Sequence, residues 1–445
     1  MMQRKIMAAA LVIAAGAAVT GCSATSSSEE GTIDYWLWDT AQLPGYQQCA
    51  DDFEESTGIT VNITQYSWDD YWTALQSGMS TGSAPDVFTD HVTYYPEFAE
   101  NGQLLDISDR VEEAGIDLDQ YEAGLADLWV GEDGSARYGL PKDWDTVALF
   151  YNEDLLAEAG YTAEDVAALT WNSEDGGTFE DMIAHLTIDE NGVRGDEAGF
   201  DASNVAVYGL GNDNAGSGFG STQWAHFALS AGWYYVNENP WGDEFYYGDD
   251  IFVETMAWWT GLIEKGYMPS LEVTNSGVSM SEQYAAGRYA MLPNGDWEAN
   301  TYASIEGVST GFAPLPTGPD GKRASVINGL SDGIWAGTDA PDEAFEWVAY
   351  TGSSACQDVM AEQGVIFPAI STATDAAVEA FAENGVDVSA FTSYLDEDET
   401  HLLPIAENWS EIVAIVNPTI ESIMLGDVEA DALVEANEQI NALFE

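Results

Sequence analysis

At Trp38-Asp39 and Trp144-Asp145 an indole and a carboxylate are chain neighbours, and Trp297 closes Asn294-Gly295-Asp296-Trp297 after a strand end. An indole face buries apolar C–H groups, while a carboxylate accepts charge-assisted hydrogen bonds from hydroxyls. Together they suit a ligand rich in hydroxyls with apolar faces, which is the chemistry of a neutral sugar. The chain holds 16 Trp and 21 Tyr, many in polar, Gly-rich surroundings. That distribution fits a cleft better than a core, although an ordinary core Trp is the competing reading for Trp38, Trp144, Trp297 and Trp409. Trp68 and Trp233 are weaker candidates. Asp39, Asp90 and Asp145 fall on the first turn after a strand or crossing, where open α/β sheets place ligand groups. Among 78 acidic residues, position and not identity singles these three out. Asn328, in an Asn-Gly turn, and backbone groups near Ser331 add further polar candidates.

The same carboxylates keep a rival open, because glycoside cleavage needs only two well-placed acids. Other catalytic patterns are missing. There is no Gly-x-x-x-x-Gly-Lys phosphate loop and no His-Glu-x-x-His zinc helix. Gly216-Ser217-Gly218-Phe219-Gly220 is neither a nucleophile elbow nor a dinucleotide fingerprint. The four histidines, His91, His185, His226 and His401, are scattered. Asp189 to Glu197 loosely resembles an acidic calcium loop, but Phe200 falls where the twelfth-position Glu belongs, so an exposed turn is expected there. Neither a cofactor nor a metal is expected.

The first residues set the compartment. Arg4 and Lys5 precede an apolar run from Ile6 to Val19, 14 residues long and too short for a spanning helix, which needs about 20. With small residues after it, this is a secretory leader over 1–21. Val19-Thr20-Gly21-Cys22 resembles a lipobox, so Cys22 is the expected lipidation site. Residues 22–31, rich in Ser and Glu, form a flexible tether. Removing the leader discards two cations and no acid, which moves the formal charge from −68 to −70. Such a surface repels nucleic acid and anionic lipid and leaves a neutral or cationic ligand. Cys49 and Cys356 remain, and an exported pair is often bonded. Two buried thiols are the alternative, and spacing does not decide between them.

Stepping along the chain, strands at Ile33–Trp38, Ile59–Ile63 and Pro85–Phe88 alternate with helices at Tyr46–Thr57 and Tyr71–Met79. This is a β-α-β-α-β rhythm with a parallel sheet. A strand at Ala148–Tyr151 leads into a helix from Glu153 to Ala159. Helices follow at Phe179–Leu186 and Thr222–Leu229, and a strand at Tyr289–Leu292. From Pro341 the pattern is mostly helical, through Asp342–Tyr350, Ala355–Glu362, Ser410–Leu425 and Val428–Phe444. The length exceeds one ordinary core, so two α/β lobes are expected.

The segments FEESTGITVNI (Phe53–Ile63), SGMSTGSAPDVF (Ser77–Phe88) and GLPKDWDTVALFYNEDLLAEAG (Gly139–Gly160) resemble the family 1 bacterial extracellular solute-binding proteins, the family of maltose-binding protein. GRYAMLPNGDW (Gly287–Trp297), APLPTGPDGKR (Ala313–Arg323), VINGLSDGIWA (Val326–Ala336) and the tail from Asn408-Trp409 follow in the family's order. The spacing from Gly139 to Tyr151 is slightly longer than the family pattern. The resemblance implies a two-lobed α/β periplasmic-binding-protein fold with an interlobe cleft and extra C-terminal helices. Its lobes would be 32–142 plus 312–350 and 143–311 plus 351–445, joined by crossings near 142, 311 and 350. It implies that Trp297 and Trp409 stack on ligand and that the chain is not an enzyme. The implied function is that of a monomeric, lipid-anchored protein at the outer face of the cell membrane. It would capture a neutral carbohydrate, an oligosaccharide, by hinge closure and deliver it to the permease subunits of an ATP-binding-cassette importer. A non-transport carbohydrate-binding surface lipoprotein would keep the same cleft and differ in partners.

Overall fold

The computed structural model describes residues 31–274, 277–397 and 399–445. The leader 1–21, Cys22 and the tether up to residue 30 lie outside the described residues. Eleven strands join in one mixed sheet. They are β1 (Thr32–Leu37), β2 (Thr60–Gln65), β3 (Val87–His91), β4 (Pro141–Asn152), β5 (Ile188–Asp189), β6 (Val205–Leu210), β7 (Tyr289–Gly295), β8 (Thr310–Ala313), β9 (Ser325–Ile334), β10 (Phe367–Pro368) and β11 (Thr400–Leu402). The order is β2-β1-β3-β9-β4-β7-β6-β5, with β8 and β10 on β4 and β11 on β9.

Local sequence explains the first half. In β1 Ile33, Tyr35 and Leu37 turn inward while Asp34 is exposed, the two-residue period of a strand. β1 pairs parallel with β2 and β3, so helices Leu43–Thr57 and Trp68–Thr81 must cross between them. The first helix stops at Gly58, whose φ of 81° is left-handed and whose N–H donates to the Glu54 carbonyl. A residue with a Cβ would be strained in that conformation.

β4 and β9 tie the two halves of the sheet together. The first half of β4 pairs with β9, and Val147–Tyr151 pairs with β7. β9 continues into β3 through Leu330–Ile334. Where they leave the first half they carry a buried ion pair, Lys142 Nζ to Asp332 Oδ1 at 3.2 Å. Lys142 also donates to Tyr35 Oη and Thr89 Oγ1, while Thr351 Oγ1 donates to Asp332 Oδ2. A buried ion pair is tolerable when its remaining hydrogen-bonding groups are satisfied in this way.

Two apolar clusters fill the interior. The smaller holds Ile33, Tyr35, Tyr46, Phe53, Trp347, Met360 and Ile366; the larger surrounds β4, β7 and the C-terminal helices. Cys49 and Cys356 are joined as a disulfide, Cα–Cα 5.3 Å, linking helix Leu43–Thr57 to helix Ser354–Gln363. Residues 354–366, assigned by sequence to the second lobe, therefore pack with the first. The physical reason is the disulfide together with burial of Met360 and Ile366 against the β1 side. No helix among the described residues is long and apolar enough to cross a membrane.

Candidate functional site

Strand alternation on β4 sets the site. Asp143 and Asp145 share one face, and Trp144 faces the other way. Asp145 lies opposite Asn328 of β9, whose Nδ2 donates to Asp145 Oδ2 at 3.1 Å. One residue further on, the Thr146 N–H donates to Asp296 Oδ1 at 2.9 Å. Asp296 begins the short 3-10 turn Asp296–Glu298 directly after β7, so β7's end brings it beside β4. Asp39 arrives from the end of β1. It accepts N–H bonds from Ala41 at 2.7 Å and Gln42 at 3.2 Å, and one from the Gln42 amide at 3.3 Å, which start the helix that follows.

These carboxyls are close enough to repel one another. Burial raises Asp143 to about 7, with help from Asp332 and Asp39 and against the pull of Lys142. Burial also raises Asp145, reinforced by Asp296 and Asp143. It raises Asp296, with Asp143 and Asp39 adding to the effect, and it raises Asp39. Glu298 is pushed to about 7 by burial and by Asp39. Removal from water disfavours the charged form of each, and neighbouring like charges add to it.

Several acceptors here have no protein partner: both oxygens of Asp143, Oδ2 of Asp296 and Oδ1 of Asn328. Asp143 is 2% exposed and Asn328 7%. Buried polar atoms are normally hydrogen-bonded to protein or ordered water, so donors from water or another molecule would complete this set. Asp90 on β3 is similar. Its Oδ1 accepts the His91 N–H at 2.9 Å, its Oδ2 has no protein partner, and burial raises its pKa.

The aromatic candidates divide. Trp297 is partly exposed, and its ring folds over Gly295, where a Cβ would fall 1.9 Å from it. Trp38 meets Trp68, Tyr71 and Trp72 at ring distances of 5.0–5.5 Å and remains partly exposed. Trp409 is fully buried. It stacks on Phe219 at 6.0 Å, and Phe219 stacks on His91 at 5.7 Å, so it belongs to an aromatic column and presents no open face. Trp144 is also buried, stacked on Phe367 at 4.7 Å with its Nε1 directed at Thr374 Oγ1 at 3.4 Å. Its chain neighbour Asp145 points the opposite way, so Trp144 does not join the carboxylates. Trp233 stacks on Phe252 and donates to the Tyr246 carbonyl. The Asp189 carboxylate accepts N–H bonds from Asn191, Val193 and Asp201, which closes that turn. Among the described residues no group of three or more His, Cys, Asp or Glu is placed to hold a metal ion.

Sequence reasoning missed Asp143, Asp296 and Glu298. The two-residue spacing of Asp143 and Asp145 inside a strand was the available signal.

Helix Trp409–Met424 also contacts the first half of the chain. Ser410 at the start of helix Trp409–Met424 donates its N–H to Glu97 Oε2 at 2.9 Å, and Gln76 Nε2 donates to Ser410 Oγ at 3.0 Å.

Comparison with known proteins agrees with this architecture. Residues 48–385 match the family model described as bacterial extracellular solute-binding protein. The maltodextrin-binding protein MdxE of Bacillus subtilis is 24% identical over 371 residues, covering 82% of this chain and 79% of its own. UspC of M. tuberculosis superposes with a TM-score of 0.68 at 25% identity, covering 92% of this chain and 99% of that one. A substrate-binding protein of Listeria monocytogenes in complex with cycloalternan superposes with a TM-score of 0.78 at 19% identity, covering 93% and 98%. The match along most of its length places this chain in the bacterial extracellular solute-binding protein family.

Proposed function

We propose that this protein is the carbohydrate-capturing component of an ATP-binding-cassette importer. Its two lobes close on an oligosaccharide and present the closed form to membrane permease subunits. The observation that carries the reading is the set of unpartnered acceptors on Asp143, Asp296 and Asn328, with the partly exposed Trp38 and Trp297 next in the chain to Asp39 and Asp296. Asp39, Asp90 and Asp145 complete the hydroxyl-binding set. Hydroxyls donate to carboxylates in charge-assisted bonds, and indole faces cover sugar C–H groups. The names of similar proteins fit, since they bind maltodextrin, cycloalternan and acarbose.

The lobes are 32–142 plus 312–350 and 143–311 plus 351–445, with 354–366 transferred to the first on the packing described above. Residues 312–324 go to the second, where β8 pairs with β4 and Arg323 donates to the Ala167 carbonyl. β4 and β9 serve as crossings. The Glu97–Ser410, Gln76–Ser410 and His91–Phe219 contacts then join one lobe to the other, as ligand-favoured closure requires. Trp409 supports that closed interface and Trp297 stacks on the ligand. Cys22 carries the lipid that holds the monomeric protein at the outer face of the membrane.

Calorimetric titration with neutral oligosaccharides tests the reading. Saturable binding of a sugar that is recovered intact is the expected result. Cleavage of the sugar would replace capture with glycoside hydrolysis.

A further inference from the structure

The junction is rich in acceptors and poor in cations. Burial raises the cost of ionising Asp39, Asp143, Asp145, Asp296 and Glu298, and Asp39 and Asp143 add to it at their neighbours. The nearest ammonium, Lys142, offsets part of the cost at Asp143 and Asp39, but its own hydrogen bonds go to Tyr35, Thr89 and Asp332. Arg110 pairs with Asp342 and Lys265 with Glu180. Arg137 and Arg323 donate to backbone carbonyls.

Asn328 is an independent pointer. Its amide N–H is taken by Asp145, and its carbonyl oxygen is buried and without a protein partner. That oxygen can only accept.

A neutral sugar would donate hydroxyl protons to these oxygens but leave their mutual repulsion in place and remove more of their water. An ammonium group offers three donors at one point and no acceptor, and its charge offsets that of the carboxylates. Resting on the capture reading, we propose that the junction recognises a protonated amine. The captured carbohydrate then carries an unacetylated amino sugar, its ammonium against Asp143 and the Asn328 carbonyl. The charge balance of the sequence admits such a cation, whereas the family resemblance implied a neutral carbohydrate.

The test is calorimetry at pH 7 with matched sets that differ only at one position of the sugar. One set is the β-1,4 trimers of glucosamine, N-acetylglucosamine and glucose. The other is the three monosaccharides, which removes linkage as a variable. The amine member of a set should bind at least about tenfold tighter than its acetylated and hydroxyl counterparts, as for a buried charge pair. Asp143→Asn should abolish that preference, and raised salt should weaken the amine's binding selectively. An acetylated or hydroxyl member that binds as tightly as its amine counterpart overturns the inference and leaves capture standing. Heat from no member of either set overturns the inference and leaves capture of another carbohydrate standing. An amine preference that survives unchanged in Asp143→Asn overturns the assignment to this junction.

Discussion

Asn328 reaches across the β4–β9 ladder to donate to Asp145 at 3.1 Å, and this bond leaves its own carbonyl oxygen without a protein partner. One amide thus orients a half-buried carboxylate and keeps an acceptor of its own uncommitted. Replacing it removes both at once. Asn328→Ala should weaken carbohydrate binding by about 1–3 kcal/mol, the cost of losing one buried hydrogen-bonding group, while thermal stability changes little. Unchanged affinity in calorimetry would remove Asn328 from the site.

Two tryptophans of the same chemistry should behave differently. Trp297 is partly exposed over Gly295, so Trp297→Ala should cost on the order of 2–4 kcal/mol of binding with a modest effect on melting. Trp409 is fully buried on Phe219, so Trp409→Ala should cost about 3–5 kcal/mol of folding stability. Paired melting and binding curves separate the two. The roles assigned here fail if Trp409→Ala melts like the parent or Trp297→Ala binds like it.

The pH dependence of stability has a definite sign. Burial raises Asp143 to about 7 and Glu298 to about 7, above unfolded values of about 4. In that window the folded state binds more protons than the unfolded state, so stability falls as pH rises. Asp39, Asp90, Asp145 and Asp296 shift in the same direction. The ligand-free protein should therefore melt higher at pH 5 than at pH 8. Asp143→Asn should flatten the slope by on the order of 3 kcal/mol across the window. A melting point that climbs from pH 5 to pH 8 contradicts the buried-carboxyl cluster.

The Cys49–Cys356 bond closes a span of 307 residues. A double Cys→Ala variant should lose about 2–5 kcal/mol of stability. If chemical denaturation of that variant superimposes on the parent, the bond contributes nothing to the fold.

Much of the first half was legible because its signals are local. Alternation in Ile33–Leu37 and the glycines ending the first two helices mark β-α-β without tertiary knowledge. β4 was only partly legible. Its apolar end, Ala148–Tyr151, reads as a strand, but Pro141-Lys142-Asp143-Trp144-Asp145 does not, because the ion pair that lets Lys142 be buried comes from Asp332, 190 residues away. Helix Asp250–Glu264 escaped for a related reason. With Phe252, Met256, Trp258, Trp259 and Leu262 buried, it lacks the broad polar face that reveals an amphipathic helix.

Position along the chain singles out Asp39, Asp145 and Asn328, and the structure sets Asp145 and Asn328 side by side. Trp144 was chosen for its adjacency to Asp145, and on a strand adjacency means opposite faces. Asp143, two residues from Asp145, was the better neighbour.

Thermal melting with a carbohydrate panel tests capture most directly. A ligand that binds only the folded state adds about 2.7 kcal/mol at 100 times its dissociation constant. At least one carbohydrate should raise the melting point by a few degrees, and chromatography should recover it intact. No shift with any carbohydrate, neutral or amine-bearing, would contradict the proposed function.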